Sequence, residues 1–293
     1  KIGYRRSVVA SEILSAVGLI GLAFLPDLLN HAYVGILISV IIYAMGSGLI
    51  EVLVSPIVEA CPFDNKESVM SLLHSFYCWG AVAVILFSTA FFTIFGINNW
   101  RILACIWALI PICNVFNFLT CPIESLTEDG QGLSIRQLCN IPIFWVALVL
   151  MVCAGASEIS MAQWASAYTE SALGLSKSIG DIAGPSLFAV TMGISRSFYG
   201  KYGEKIDLMK FMTSSGILCL ICYLLAALGP YPILGLIGCI MCGFSVGSMW
   251  PGTISIASSK IPMGGTAMFA LLAMAGDMGG SIGPCVVGFV TQN

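Results

Sequence analysis

Three carboxylates lie where a polypeptide rarely tolerates them. Glu51, Glu158 and Asp277 each sit inside a stretch that otherwise reads as soluble in lipid. A charge there costs about 2.5–3.5 kcal/mol even on lenient insertion scales, so such an acid usually faces a polar interior and has a task. A carboxylate closed in between helices takes up a proton and releases it when wetted, which is proton-coupling chemistry. Around these acids stand groups suited to a hydroxyl-rich solute. His74 and Trp79 share one stretch, Asn114 and Asn117 lie three apart on one helical face, and Gln163 and Trp164 follow Glu158. Acids and amides bond hydroxyls, and an aromatic ring stacks on an apolar CH face. Each group also has a plainer reading. Glu51 reads also as a structural acid, though less readily; Asp277 and the asparagines read equally as polar glue between helices, and His74 more readily as simply hydrogen-bonded. Trp164 reads as part of an interfacial aromatic belt.

Helices crossing a bilayer must hold these residues. The chain is 58% hydrophobic and only 9% charged, against roughly 25% charged for a soluble domain. Its apolar residues run in blocks, and its 31 glycines suit close helix packing. Spans are expected at 7–26, 33–56, 69–95, 100–120, 141–168, 180–200, 208–228, 231–256 and 265–290. Each is about the ~20 residues that cross a hydrocarbon core, or longer. The predicted fold is therefore all-α, a polytopic membrane bundle of about nine transmembrane helices. The longest polar stretch, 121–140, reads as a central linker between an N-terminal bundle at 1–120 and a C-terminal one at 141–293.

Basic residues orient the chain. With Lys1 inside, alternating loops also put Arg5, Arg6, Lys66, Arg136, Arg196, Lys201, Lys205, Lys210 and Lys260 inside, leaving Arg101 and Lys177 outside. That bias predicts a multi-pass protein of the cell membrane with Lys1 and the 121–140 linker cytoplasmic. A net charge of −3 without a basic tract excludes nucleic acid as a partner. Cys219/Cys222 and Cys239/Cys242 are spaced like metal ligands, but both pairs lie in unbroken apolar helices and read as small hydrophobes. No phosphate-cradling loop and no catalytic set emerges, so neither a cofactor, a metal nor an enzymatic activity is expected.

The chain also echoes itself. Lys1-Ile-Gly-Tyr-Arg-Arg and Lys201-Tyr-Gly-Glu-Lys each precede a span, and the next span of each copy carries a glycine pair, Gly46/Gly48 and Gly243/Gly247. Parallel repeats of this kind build some transporters from two halves.

These segments resemble the major facilitator superfamily and, within it, the fucose-permease-like proton–sugar symporters. Gly193-Ile-Ser-Arg196-Ser-Phe-Tyr-Gly200-Lys201-Tyr-Gly203 looks like the superfamily's loop motif after helix eight. Gly46-Ser-Gly48-Leu-Ile-Glu51, followed by Ser55-Pro56, is similar to helix four of the fucose-permease group. Ala154-Gly155-Ala-Ser-Glu158 resembles the glutamate-bearing helix seven of glucose/mannose relatives, and Gly276-Asp277-Met-Gly279-Gly280 the texture of helix eleven. The resemblance implies a piece running from the second loop to helix eleven, without helices one, two and twelve, and not expected to transport alone.

The reading that follows is a secondary transporter working by proton-coupled alternating access, probed first at Glu51, Glu158 and Asp277. His74, Trp79, Asn114, Asn117, Gln163 and Trp164 are the expected substrate contacts. Gly193, Arg196, Gly200, Lys201 and Gly203 are the expected conformational loop, latching helices at the cytoplasmic face. No Arg or Lys is expected mid-membrane, which favours a neutral monosaccharide over organic anions. The expected partners are that solute, protons and the bilayer, with the protein acting as a monomer. The alternatives are a drug or cation:proton exporter of the same superfamily and a transport-inactive nutrient sensor.

Overall fold

The computed structural model describes residues 3–123 and 132–292. They form α-helices α1 (Tyr4–Leu28), α2 (Ala32–Ala60), α3 (Lys66–Phe95), α4 (Trp100–Thr120), α5 (Ile135–Cys139) and α6 (Pro142–Leu173). These are followed by α7 (Lys177–Asp181), α8 (Leu187–Tyr202), α9 (Leu208–Leu228), α10 (Pro232–Val246), α11 (Met249–Lys260) and α12 (Gly265–Gln292). The termini follow local chemistry. Pro142 and Pro232 open α6 and α10, where a missing N–H costs nothing. Asp207 caps α9 by accepting from the Lys210 N–H at 2.9 Å. Gly174, with φ of 64°, closes α6 in the left-handed conformation.

Among the described residues, eight helical stretches are long and apolar enough to cross a membrane, α10 and α11 counting as one stretch, Pro232–Lys260. The expected ninth span, 180–200, takes another form. It is α7, a π-helical turn at Ile182–Ser186 and then α8, in sequence. Pro185 inside that turn lacks the N–H a regular helix needs. The sixteen residues of α8 are too few to span the hydrocarbon by themselves. The linker expected at 121–140 falls partly on 124–131, outside the described residues. From Ser134 the chain is ordered by a capping box with Gln137, which starts α5.

Packing groups the described residues into two units, one within Lys1–Cys61 and Ser88–Gly130, the other within Pro62–Phe87 and Gln131–Asn293. The division passes through α3. In the first unit α1 lies against α2 and α4. A Cβ on Gly46 would fall 2.6 Å from the Ser11 carbonyl oxygen, so glycine lets those two backbones touch. In the second unit α6 packs on α12, α10 and α11, and α10 packs on α9 and α8. Cys78, Phe188, Met192, Cys219, Cys222, Cys239, Cys242 and Val246 fill the core there. All four paired-spacing cysteines are thus buried in apolar packing, and among the described residues no group of His, Cys, Asp and Glu is placed to hold a metal.

Candidate functional site

Glu158 lies mid-way along α6, and Arg196 lies more than a turn inside α8. The two side chains meet in the second unit, with an Arg196 Nη2 to Glu158 Oε2 distance of 3.0 Å and only 2% and 8% of each side chain exposed. All three nitrogens of the guanidinium are engaged. Its Nε donates to the Gly247 carbonyl at 2.8 Å and its Nη1 to the His74 carbonyl at 3.0 Å. The Tyr77 ring stands 5.8 Å from its central carbon. The backbone joins in as well, since the Ser71 hydroxyl donates to the Arg196 carbonyl at 2.8 Å. One residue of α8 thereby ties α3, α6 and the end of α10.

The sequence explains why Gly247 offers its carbonyl. Four residues on stands Pro251, which has no N–H to return to it, so the helical bond is missing and an outside donor is needed. The chain turns at Gly247-Ser248 between α10 and α11. A Cβ on Gly247 would lie 2.8 Å from the Ser195 Cβ, so glycine permits the approach that brings the carbonyl to Arg196. A buried guanidinium–carboxylate pair is charge-neutral as a unit, and breaking it by removing one partner leaves an uncompensated charge.

This pair corrects one expectation. A cationic side chain does lie buried within the helical region, because Arg196 belongs to α8 and not to the loop that follows it. The sequence placed it beside a basic loop and carried no sign of the helix facing it.

The other predicted residues are distributed as follows. His74 enters through its carbonyl, and Trp79 lies on the same helix with its indole N–H donating to the Ser197 hydroxyl at 3.3 Å. Gly193 and Gly200 face α3: a Cβ on either would lie 3.1 Å from Trp79 or Leu72. Gly203 is buried, whereas Lys201 is exposed with its ammonium 5.3 Å from the Tyr202 ring. Glu158, Gln163 and Trp164 do not share a face. Gln163 is exposed, and the Trp164 indole donates to the Pro284 carbonyl of α12 at 3.2 Å. Asp277 is exposed on α12, on a different face from Gly276, which abuts Trp250, and Gly279, which abuts Val152.

In the first unit Glu51 is half-buried on α2. One turn further along the same face stands Ser55, which is buried. Asn117 is exposed, but Asn114 turns inward and donates to Glu12 Oε1 at 3.4 Å. Glu12 is a further carboxylate within a span, 8% exposed on α1, and it was passed over in the sequence. The available signal was the same as for the other three: an acid in the apolar run of 7–26.

A sequence profile of the Major Facilitator Superfamily matches residues 1–284. Among solved structures, a Major Facilitator Superfamily transporter, FucP, in the outward conformation superposes with a TM-score of 0.80 at 16% identity, over 100% of this chain and 77% of that one. A variant of the E. coli fucose:proton symporter FucP gives 0.80 and 16%, over 100% and 78%. The human organic anion transporter MFSD10 (TETRAN) gives 0.68 and 14%, over 97% and 75%. No curated protein sequence matches.

Proposed function

The chain belongs to the Major Facilitator Superfamily, a multi-pass membrane transporter family, and from that premise we propose that it moves a neutral monosaccharide with protons by alternating access. The observation that carries this reading is the whole-chain likeness to a fucose:proton symporter, joined to acids held within apolar helices. Glu51 is the leading proton-coupling residue, with Asp277 beside it in that role. Both lie in apolar helices, where an acid takes a proton to remain in hydrocarbon and loses it on meeting water. Glu158 takes a different part. Its charge is matched by Arg196, so it serves as a fixed counter-ion that holds the helix ties together.

The same pairing bears on cargo. The likeness to an organic anion transporter and the buried guanidinium both raise an anionic solute as a second reading. Arg196 is already paired with a carboxylate and bonded at each of its three nitrogens, so it has less to offer an anion, which favours a neutral one. Trp79, Asn117, Gln163 and Trp164 are the proposed sugar contacts, with His74 and Asn114 behind them. The loop glycines Gly193, Gly200 and Gly203 with Arg196 and Lys201 form the proposed conformational element. We place the protein in the cell membrane with Lys1 and the 121–140 linker cytoplasmic, acting as a monomer.

The test is uptake of labelled glucose, mannose and fucose by proteoliposomes holding the gene product that contains this chain, with and without an inward proton gradient. Gradient-driven accumulation of one sugar is expected, lost in Glu51→Gln while cargo exchange persists in part. Proton-driven efflux of cationic drugs in place of sugar uptake would support the exporter reading. Binding of sugar without any flux would support the nutrient sensor.

A further inference from the structure

Glu12 is buried to nearly the same extent as Glu158, yet among the described residues it meets no cation. From α4, the group that faces it is the Asn114 amide, at 3.4 Å. From α2, its level is occupied by Gly46, which lies against Ser11 and Ser15. The α2 acids Glu51 and Glu59 lie further toward the end of that helix and, being acids, supply no cation. Tyr43 of α2 is met by Gly18, more than a turn away along α1. On α1 itself the Ser11 hydroxyl donates to the Val8 carbonyl at 2.9 Å and is not directed to the acid. Arg5 and Arg6 are exposed near the helix start, and Arg5 donates to the Phe118 and Leu119 carbonyls at the end of α4. Arg101, at the opposite end of α4, pairs with Asp27.

An ionised carboxylate closed between helices loses several kcal/mol of hydration. One long hydrogen bond from a neutral amide returns at most about 1.5–3 kcal/mol of that. The least costly remedy is a proton. We propose that Glu12 is a proton-binding site of the first unit, a neutral carboxylic acid held against Asn114 in the α1–α4 seam and ionised only when that seam admits water. The site is distinct from the Glu51 site and goes beyond the sugar-transport reading, because it requires no cargo.

Infrared spectroscopy of the protein in lipid at neutral pH tests it without any transport assay. The wild type minus Glu12→Gln difference should show loss of a protonated-carboxyl carbonyl band that shifts in heavy water. Asn114→Leu should keep that band and move it to higher frequency, since the amide no longer pulls on the carbonyl. Glu51→Gln should leave the band unchanged, which separates this site from the proposed coupling acid. A difference spectrum showing loss of a carboxylate band in place of a protonated one would overturn the proposal. If Glu12→Gln does not fold, the Asn114→Leu shift decides: absence of any shift overturns it.

Discussion

Glu158 and Glu12 present the same side chain, buried within membrane helices to similar degrees, in opposite electrical settings. Glu158 faces a guanidinium at 3.0 Å that also donates to two carbonyls. Glu12 faces one amide at 3.4 Å. The first arrangement keeps a charge in place by matching it, and the second admits an acid only as a neutral group. A buried carboxylate is therefore informative about proton chemistry only once its partner is known. Glu158, one of the three acids expected to couple protons, is the better suited to structure.

The sharpest way to break this comparison is to remove the cation. Arg196→Leu strands Glu158 and takes from the Gly247 carbonyl the donor that Pro251 cannot supply, so it should cost about 3–5 kcal/mol. Thermal unfolding of the purified protein in detergent would register this as a large drop in midpoint or failure to accumulate folded protein. A loss no greater than that of an exposed substitution would show the pair to be dispensable. The double variant Glu158→Leu/Arg196→Leu should recover much of that loss, with a coupling energy on the order of 0.5–3 kcal/mol from the double-mutant cycle. Additive losses would mean that the two residues act independently.

Smaller effects are expected in the first unit. Glu12→Gln exchanges one neutral hydrogen-bonding group for another and should change stability by about 1 kcal/mol or less. A loss as large as that of Arg196→Leu would mean that Glu12 holds a charge and has a counter-ion. The smallest effect belongs to an exposed pair. Arg101 and Asp27 meet at 2.7 Å with 44% and 62% of their side chains exposed. Asp27→Asn should therefore cost about 0–1 kcal/mol, with less effect at high salt.

Much of this architecture was legible in the residues. Blocks of apolar sequence marked the spans, and Gly46, Gly243 and Gly247 marked places where backbones approach. The π-helical turn within the span expected at 180–200 was not foreseen, although Gly184-Pro185 stood at its place. The Gly247 carbonyl was also readable, because a proline four residues ahead always removes one helical donor. The partner of that carbonyl was not readable. Arg196 is 51 residues away from Gly247 and 38 from Glu158, and no local pattern links them. Asn114 and Asn117 looked equivalent at three-residue spacing, yet Asn114 turned toward α1 while Asn117 stayed exposed.

By itself the sequence determined the membrane setting, the helical class and the family, because hydrocarbon requires long apolar helices whose backbone bonds close within each segment. It also determined that acids would lie inside those helices. Only the tertiary structure decided what each acid meets. That depends on how far helices rotate and slide against one another, and such packing joins residues remote in sequence. Glu158 found a guanidinium and Glu12 found an amide, and from that difference in partner follows which of them keeps its charge.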